Sequence, residues 1–203
     1  MKQLTFLFCL FVLISCSEKP AATETTSAVA APADAAVIEN NDGQYVDVPA
    51  NAAKEEFTDT PGVVKVSLGA DAQGTYKDGK RDGSWIEYHP NGLVKTITSY
   101  VDGKKEGLYA ELTNNGQLQK RMYYHNNLRH GEYKEFNYST VKEERTYQFD
   151  KLEGTVKIFY DNGKVMEEGN YKNGTRDGVS KWYDKEGNPT ITYEYKNGEL
   201  VKK

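Results

Sequence analysis

The sequence predicts an all-β fold: an elongated, twisted antiparallel sheet of tandem β-hairpin repeats with a period of about 24, preceded by a disordered tether. Three observations predict it. Tyr76, Tyr100, Tyr124, Tyr147, Tyr171 and Tyr195 recur at intervals of 24, 24, 23, 24 and 24 residues, by subtraction of their numbers. Gly83, Gly107, Gly131, Gly154 and Gly178 each follow seven residues after the first five of those tyrosines. Turn dipeptides such as Asn91-Gly92 and Asp102-Gly103 separate the runs between them.

The N-terminal residues read as an address. Lys2 precedes an apolar run from Leu4 to Ile14, too short for the roughly 20 residues a bilayer helix needs. Residues 1–15 have the make-up of a signal peptide. The run ends in Leu13-Ile14-Ser15-Cys16, which resembles the lipobox of bacterial lipoproteins. The resemblance implies cleavage before Cys16 and acylation of that cysteine. It also implies a lipid-anchored protein of the cell envelope, with Ser17 in the position that implies the outer membrane of a Gram-negative bacterium. An ordinary secretory signal is the alternative. Cys9 lies within the apolar run, so no disulfide is expected in the mature chain.

Residues 16–60 are rich in Ala, Thr, Pro, Asn and acids, with nine acids against two lysines over residues 18–60. Such a segment buries too little apolar surface to offset its ordering entropy, and it reads as a linker. A short helix near Ala50–Phe57 is the alternative for its last part. Residues 61–73, with Val64, Val66 and Leu68, read as an N-terminal capping strand.

Residues 74–203 hold the repeat. Each unit opens with a glycine and a short strand bearing rings, as in Gly83-Ser84-Trp85-Ile86-Glu87-Tyr88 and Gly107-Leu108-Tyr109-Ala110-Glu111-Leu112. A turn with Gly92, Gly116 or Gly163 follows, where Asn-Gly is expected to supply two residues that tolerate positive φ. A second strand then runs up to the tyrosine with period two, as in Leu118-Lys120-Met122-Tyr124. The eight glycines Gly83, Gly92, Gly107, Gly116, Gly131, Gly154, Gly163 and Gly178 are read as structural turn residues. Asp82, Glu106, Glu153 and Asp177 precede their glycines and read as turn or edge residues, with His130 in that place once. The third unit departs from the pattern: Asn137-Tyr138-Ser139-Thr140 replaces Asn-Gly, and Phe149-Asp150 has no glycine, so an irregular hairpin with a bulge is expected. Trp85 and Tyr88 are three apart, so either both faces carry rings or the strand is bulged.

The period, the G-x-[WY]-x-x-[YF] stretches and the Tyr-x-Asn-Gly-x-x-Asp-Gly spacing resemble the variant class of MORN repeats (membrane occupation and recognition nexus) over residues 74–203. The resemblance implies hairpins chained into one sheet, and it admits an antitoxin- or immunity-like role.

Two readings of the rings stay open. Trp85, Tyr88, Tyr100, Tyr109, Tyr124, Tyr133, Tyr147, Tyr171, Trp182 and Tyr195 either pack on one another between hairpins or form an exposed ladder that binds a peptide, a glycan or a protein. Residues 61–203 hold 23 Lys and Arg against 21 Asp and Glu, which leaves no basic footprint for nucleic acid. His89, His125 and His130 lack zinc-ligand spacing and read as surface turn residues, so no metal and no cofactor are expected. No nucleophile elbow or phosphate-binding motif occurs. The expectation is a non-enzymatic scaffold that binds a protein or peptide. A glycan or peptidoglycan binder is the alternative, and a hydrolase is a further one for which no carboxylate pair stands out.

Overall fold

A computed structural model describes residues 51–202. The expectations for the signal peptide, for Cys16 and for the linker before residue 51 lie outside the described residues. The described residues form one open antiparallel sheet of sixteen strands. In chain order they are β1 (Ala53–Glu56), β2 (Val63–Ser67), β3 (Ala72–Lys77), β4 (Lys80–Arg81), β5 (Gly83–Tyr88), β6 (Val94–Val101), β7 (Lys104–Leu112) and β8 (Leu118–His125). Then follow β9 (Leu128–Asn137), β10 (Thr140–Gln148), β11 (Lys151–Leu152), β12 (Gly154–Phe159), β13 (Val165–Lys172), β14 (Thr175–Tyr183), β15 (Pro189–Lys196) and β16 (Glu199–Lys202). Each strand pairs with its neighbour in sequence, except that β4 and β5, and β11 and β12, are halves of one bent strand beside β3 and β10. The all-β fold and the hairpin meander match the sequence prediction.

β1 corrects both expectations for its segment. It pairs with β2 through Ala53↔Ser67 to Glu56↔Val64, inside residues read as linker or as a short helix. All four of its side chains are exposed, so no apolar alternation marks it; backbone pairing holds it, with an exposed ion pair from Glu55 to Lys65 at 3.8 Å. β2 falls within residues 61–73, but β1 lies outside it and forms the edge.

The two turn families differ from expectation. Asn91-Gly92 offers two residues that tolerate positive φ. Only the glycine takes it, with Gly92 at 81°. Gly92 N–H donates to His89 O at 2.8 Å and His89 N–H to Leu93 O at 2.8 Å, a longer loop closed by a left-handed glycine. Its asparagine works through its side chain: Asn91 Oδ1 accepts Leu93 N–H at 3.1 Å. The register shift between Glu87 and Tyr88 sits beside this loop. Two-residue turns line the other edge, where Asp102 and Gly103 have φ of 50° and 82°.

Gly83, Gly107, Gly131, Gly154 and Gly178 are not turn residues. Gly107 lies inside β7, where Tyr100↔Lys105 and Thr98↔Tyr109 leave two extra residues on one strand. Its φ of 87° makes the corner that Glu106-Gly107 inserts. Gly92, Gly116 and Gly163 do lie in turns. The shift between Val141 and Glu143 in the third unit recurs in the others, as between Glu111 and Leu112, so it does not set that unit apart; its difference is a two-residue turn, with Asn137 paired to Thr140 and Tyr138 at a φ of 54°.

The core lies on one face of the sheet, in two clusters. Val66, Ala72, Tyr76, Trp85 and Tyr100 form the first. Met122, Tyr133, Tyr147, Leu152, Val156 and Tyr171 form the second. The Trp85 ring lies directly over the Cα of Gly74, where a side chain would collide with it.

Candidate functional site

The tyrosines reach the core because period-two alternation puts residues at −2 and −4 from each tyrosine on the same face. Trp85, Tyr100, Tyr133, Tyr147 and Tyr171 are buried there. Tyr109, Tyr124, Trp182 and Tyr195 are half-buried. Tyr88 stands apart, since β5 pairs residue for residue from Gly83↔Tyr100 to Glu87↔Thr96 and its alternation sends Trp85 and Tyr88 to opposite faces. The Tyr88 hydroxyl accepts a hydrogen bond from Gln73 Nε2 at 2.5 Å. The structure therefore gathers nine of the ten candidate rings, but it turns five of them inward, away from an open ladder.

The rings alternate with cations. Tyr76 meets Trp85 edge-on at 5.7 Å, and Tyr133 meets Tyr147 at 6.1 Å. The Arg81 guanidinium lies 4.4 Å from the Trp85 ring centre, and Arg129 lies 4.3 Å from that of Tyr147. Arg145 lies 5.0 Å from Tyr133, and Arg176 sits among Tyr171, Trp182 and Tyr195. Such contacts strengthen where water is excluded.

Sequence reasoning missed the buried charges. Glu143 grips Arg145 with both oxygens, to Nε and to Nη2, each at 2.6 Å. Arg145 also donates to the Tyr147 hydroxyl at 2.9 Å. Burial works against the charge of Arg145, and the bonds to Glu143 and Tyr147 more than offset it, so its pKa is raised. Arg176 pairs with buried Glu167 and donates to Ser180 Oγ at 3.1 Å. The signal was their place at −2 and −4 from the tyrosine, which the polar side chains hid. These carboxylates are committed to guanidinium groups, an arrangement that braces a sheet.

The edge with the two-residue turns carries a second repeated device. Asp82 Oδ2 accepts Asp102 N–H at 3.2 Å, and Glu106 Oε2 accepts Asn126 N–H at 2.8 Å. Glu153 Oε2 accepts Asn173 N–H at 2.9 Å, and Asp177 Oδ2 accepts Asn197 N–H at 3.1 Å. Each carboxylate clasps the turn amide 20 residues on. The bond to Asn126, with a second to His125, holds Glu106 below the usual carboxylate range. The bond to Asn197 does the same for Asp177. Backbone bonds run alongside, such as Gly103 N–H to Arg81 O and Gly174 N–H to Leu152 O, both at 2.8 Å.

The third joint lacks this clasp. His130 stands in the place of the acid, with Nδ1 buried and unpartnered. Its ring packs 4.8 Å from that of Phe149, and His125 packs 5.8 Å from His130. The carboxylate has moved to the opposite partner: Asp150 Oδ1 accepts Arg129 N–H at 2.8 Å and Arg129 Nε–H at 2.9 Å. Among the described residues no group of three or more His, Cys, Asp or Glu is placed to hold a metal.

The clasp defines a unit that runs from one residue before an acid to the amide it accepts. Comparison with known families finds that same unit three times, at residues 81–102, 152–173 and 176–197. These three segments match the MORN repeat variant. Each match opens on Arg81, Leu152 or Arg176, immediately before its clasping acid, and closes on Asp102, Asn173 or Asn197. Residues 103–151, which hold the altered joint, lie between the first two matched segments and fold on the same plan. The chain thus carries MORN repeats within a repeat scaffold. No curated protein shows a significant match to it.

Proposed function

We propose that the chain is a non-enzymatic, lipid-anchored repeat scaffold of the cell envelope that binds a protein or peptide partner. One observation carries the reading. The ring face spends its polar groups on internal pairs such as Glu143–Arg145, while large apolar side chains are left to solvent elsewhere: Val101 is 55% exposed and Phe149 50%. Exposed apolar groups on a rigid sheet suit association with another protein. The anchor rests on the Leu-Ile-Ser-Cys16 pattern, with the outer membrane as its place. The narrower antitoxin- or immunity-like form is supported by the resemblance alone. Glycan binding along a ring ladder finds no support in rings that face inward.

The test has two arms. Fatty-acid labelling of the chain is expected to be lost on Cys16→Ala, and unchanged labelling contradicts the anchor. The detergent-held full chain is expected to retain a defined envelope protein in a pull-down. Recovery of none, with circular dichroism showing the sheet intact, contradicts the scaffold reading.

A further inference from the structure

Phe149 departs from every equivalent turn tip. Its φ is 49°, at the place that Asp78, Asp102, Asn126, Asn173 and Asn197 hold in the other turns. Those short polar side chains tolerate the left-handed region, whereas a bulky aromatic residue there is an outlier. The ring is also half exposed. Folding gains little from a strained ring turned to water, and such strain is retained where a surface has another use.

The neighbours of Phe149 extend it into a patch. Leu128 is 39% exposed and pairs with His125, whose ring lies 6.2 Å from Phe149. Val101, on the preceding turn, is exposed and pairs with Lys104. Tyr123 and Leu108, 37% and 36% exposed, pair across β8 and β7 beside Gly131. The flanking turns carry Lys77 and Lys80 on one side, and Lys172, Thr175 and Lys196 on the other, in the places that Val101 and Leu128 hold here.

The charge at its rim has one sign to spare. Lys104 and Lys151 are exposed; the Lys104 ammonium donates to Asn126 Oδ1 at 3.4 Å, a neutral partner that leaves its charge uncompensated. The acids nearby are engaged: Asp102 with Lys80 at 2.7 Å, Asp150 with Arg129, Glu132 with Arg121 at 2.5 Å, and Glu106 with His125 and Asn126. We infer that this patch docks an acidic segment of a partner protein, with apolar side chains on Phe149, Val101 and Leu128 and carboxylates on Lys104 and Lys151. The inference rests on the scaffold reading and gives it a site.

The test uses the full chain in non-ionic detergent and two labelled peptides, Glu-Glu-Leu-Trp-Leu-Glu-Glu and its counterpart with lysine for every glutamate. Polarisation is expected to show at least about tenfold tighter binding of the acidic peptide, and Phe149→Asn is expected to weaken it at least about tenfold, as for a central anchor. Lys104→Glu with Lys151→Glu is expected to reverse the preference. Phe149→Asn should keep its circular dichroism, so lost binding is not lost folding. Equal binding of the two peptides, or an unmoved Phe149→Asn, overturns the proposal. So does a patch that takes phosphatidylglycerol vesicles or a second copy of the chain in place of the peptide. An envelope partner still captured by Phe149→Asn overturns the patch and leaves the scaffold standing. Capture of no partner by the parent chain removes the scaffold reading itself.

Discussion

Glu106 Oε2 lies 2.8 Å from the backbone nitrogen of Asn126, a carboxylate beside a corner glycine holding the turn 20 residues on. The same relation joins Glu153 to Asn173 and Asp177 to Asn197. It makes the joint between hairpins a property of sequence position: an acid before the corner glycine, and a turn amide 20 residues later. The hairpins are marginal alone, and these joints give each one a neighbour.

The clasps predict an acid-sensitive fold. Glu106 and Asp177 have folded-state pKa values below their ordinary ones. The stability they contribute is therefore complete above the unfolded carboxylate pKa, at about 4. It is lost as the pH falls through the lower folded value. Thermal melts of the parent chain should shift downward below about pH 4. Glu106→Gln with Asp177→Asn should flatten that acid limb and leave the neutral plateau lower. An unchanged acid limb in the double variant contradicts this role.

The third joint should gain stability when its sequence is made regular. Phe149→Asn places a residue that tolerates a φ of 49° there. The strain relieved is on the order of 1 kcal/mol. His130→Glu removes a buried, unpartnered nitrogen and restores an acceptor for the turn amide. The pair should raise the denaturant midpoint above that of either single variant. A midpoint below that of the parent chain shows instead that the His130–Phe149 stack outweighs a clasp.

Removing one partner of the buried ion pair should be costly. The side chains of Arg145 and Glu143 are 4% and 8% exposed. Glu143→Ala leaves a buried guanidinium without its counter-charge, a loss of about 3–5 kcal/mol. Glu143→Leu with Arg145→Met should be neutral or stabilising by about 1–4 kcal/mol. Urea melts of the three chains decide it, and a mild Glu143→Ala would show that the pair is open to water.

Gly74 makes a steric prediction. Its Cα carries the Trp85 ring, and a methyl group there would press into it. Gly74→Ala should cost about 1–3 kcal/mol by overpacking. Trp85 fluorescence should shift with it. An unshifted spectrum with unchanged stability contradicts the packing.

Much of this was legible in the sequence, because a repeat states its rule several times. The tyrosine period gave the hairpins, and the departures at Asn137-Tyr138 and Phe149-Asp150 marked the irregular unit. β1 was missed because four exposed residues carry no periodic signal. The corner glycines were read as turn glycines because a glycine at positive φ serves both and the residues look alike. The burial of Glu143, Arg145 and Glu167 was hidden because alternation reads polar side chains as outward. The clasps were out of reach, since partners 20 residues apart become neighbours only after the hairpins stack.

Amide hydrogen exchange tests the central claim most directly, that clasped joints hold the array together and the third one is altered to present Phe149. The account predicts strong protection of the Asn126, Asn173 and Asn197 amides, lost at each on neutralising its own acid, with faster exchange at Phe149. Uniform exchange across all four turns, or a Phe149 amide as protected as the rest, would contradict it.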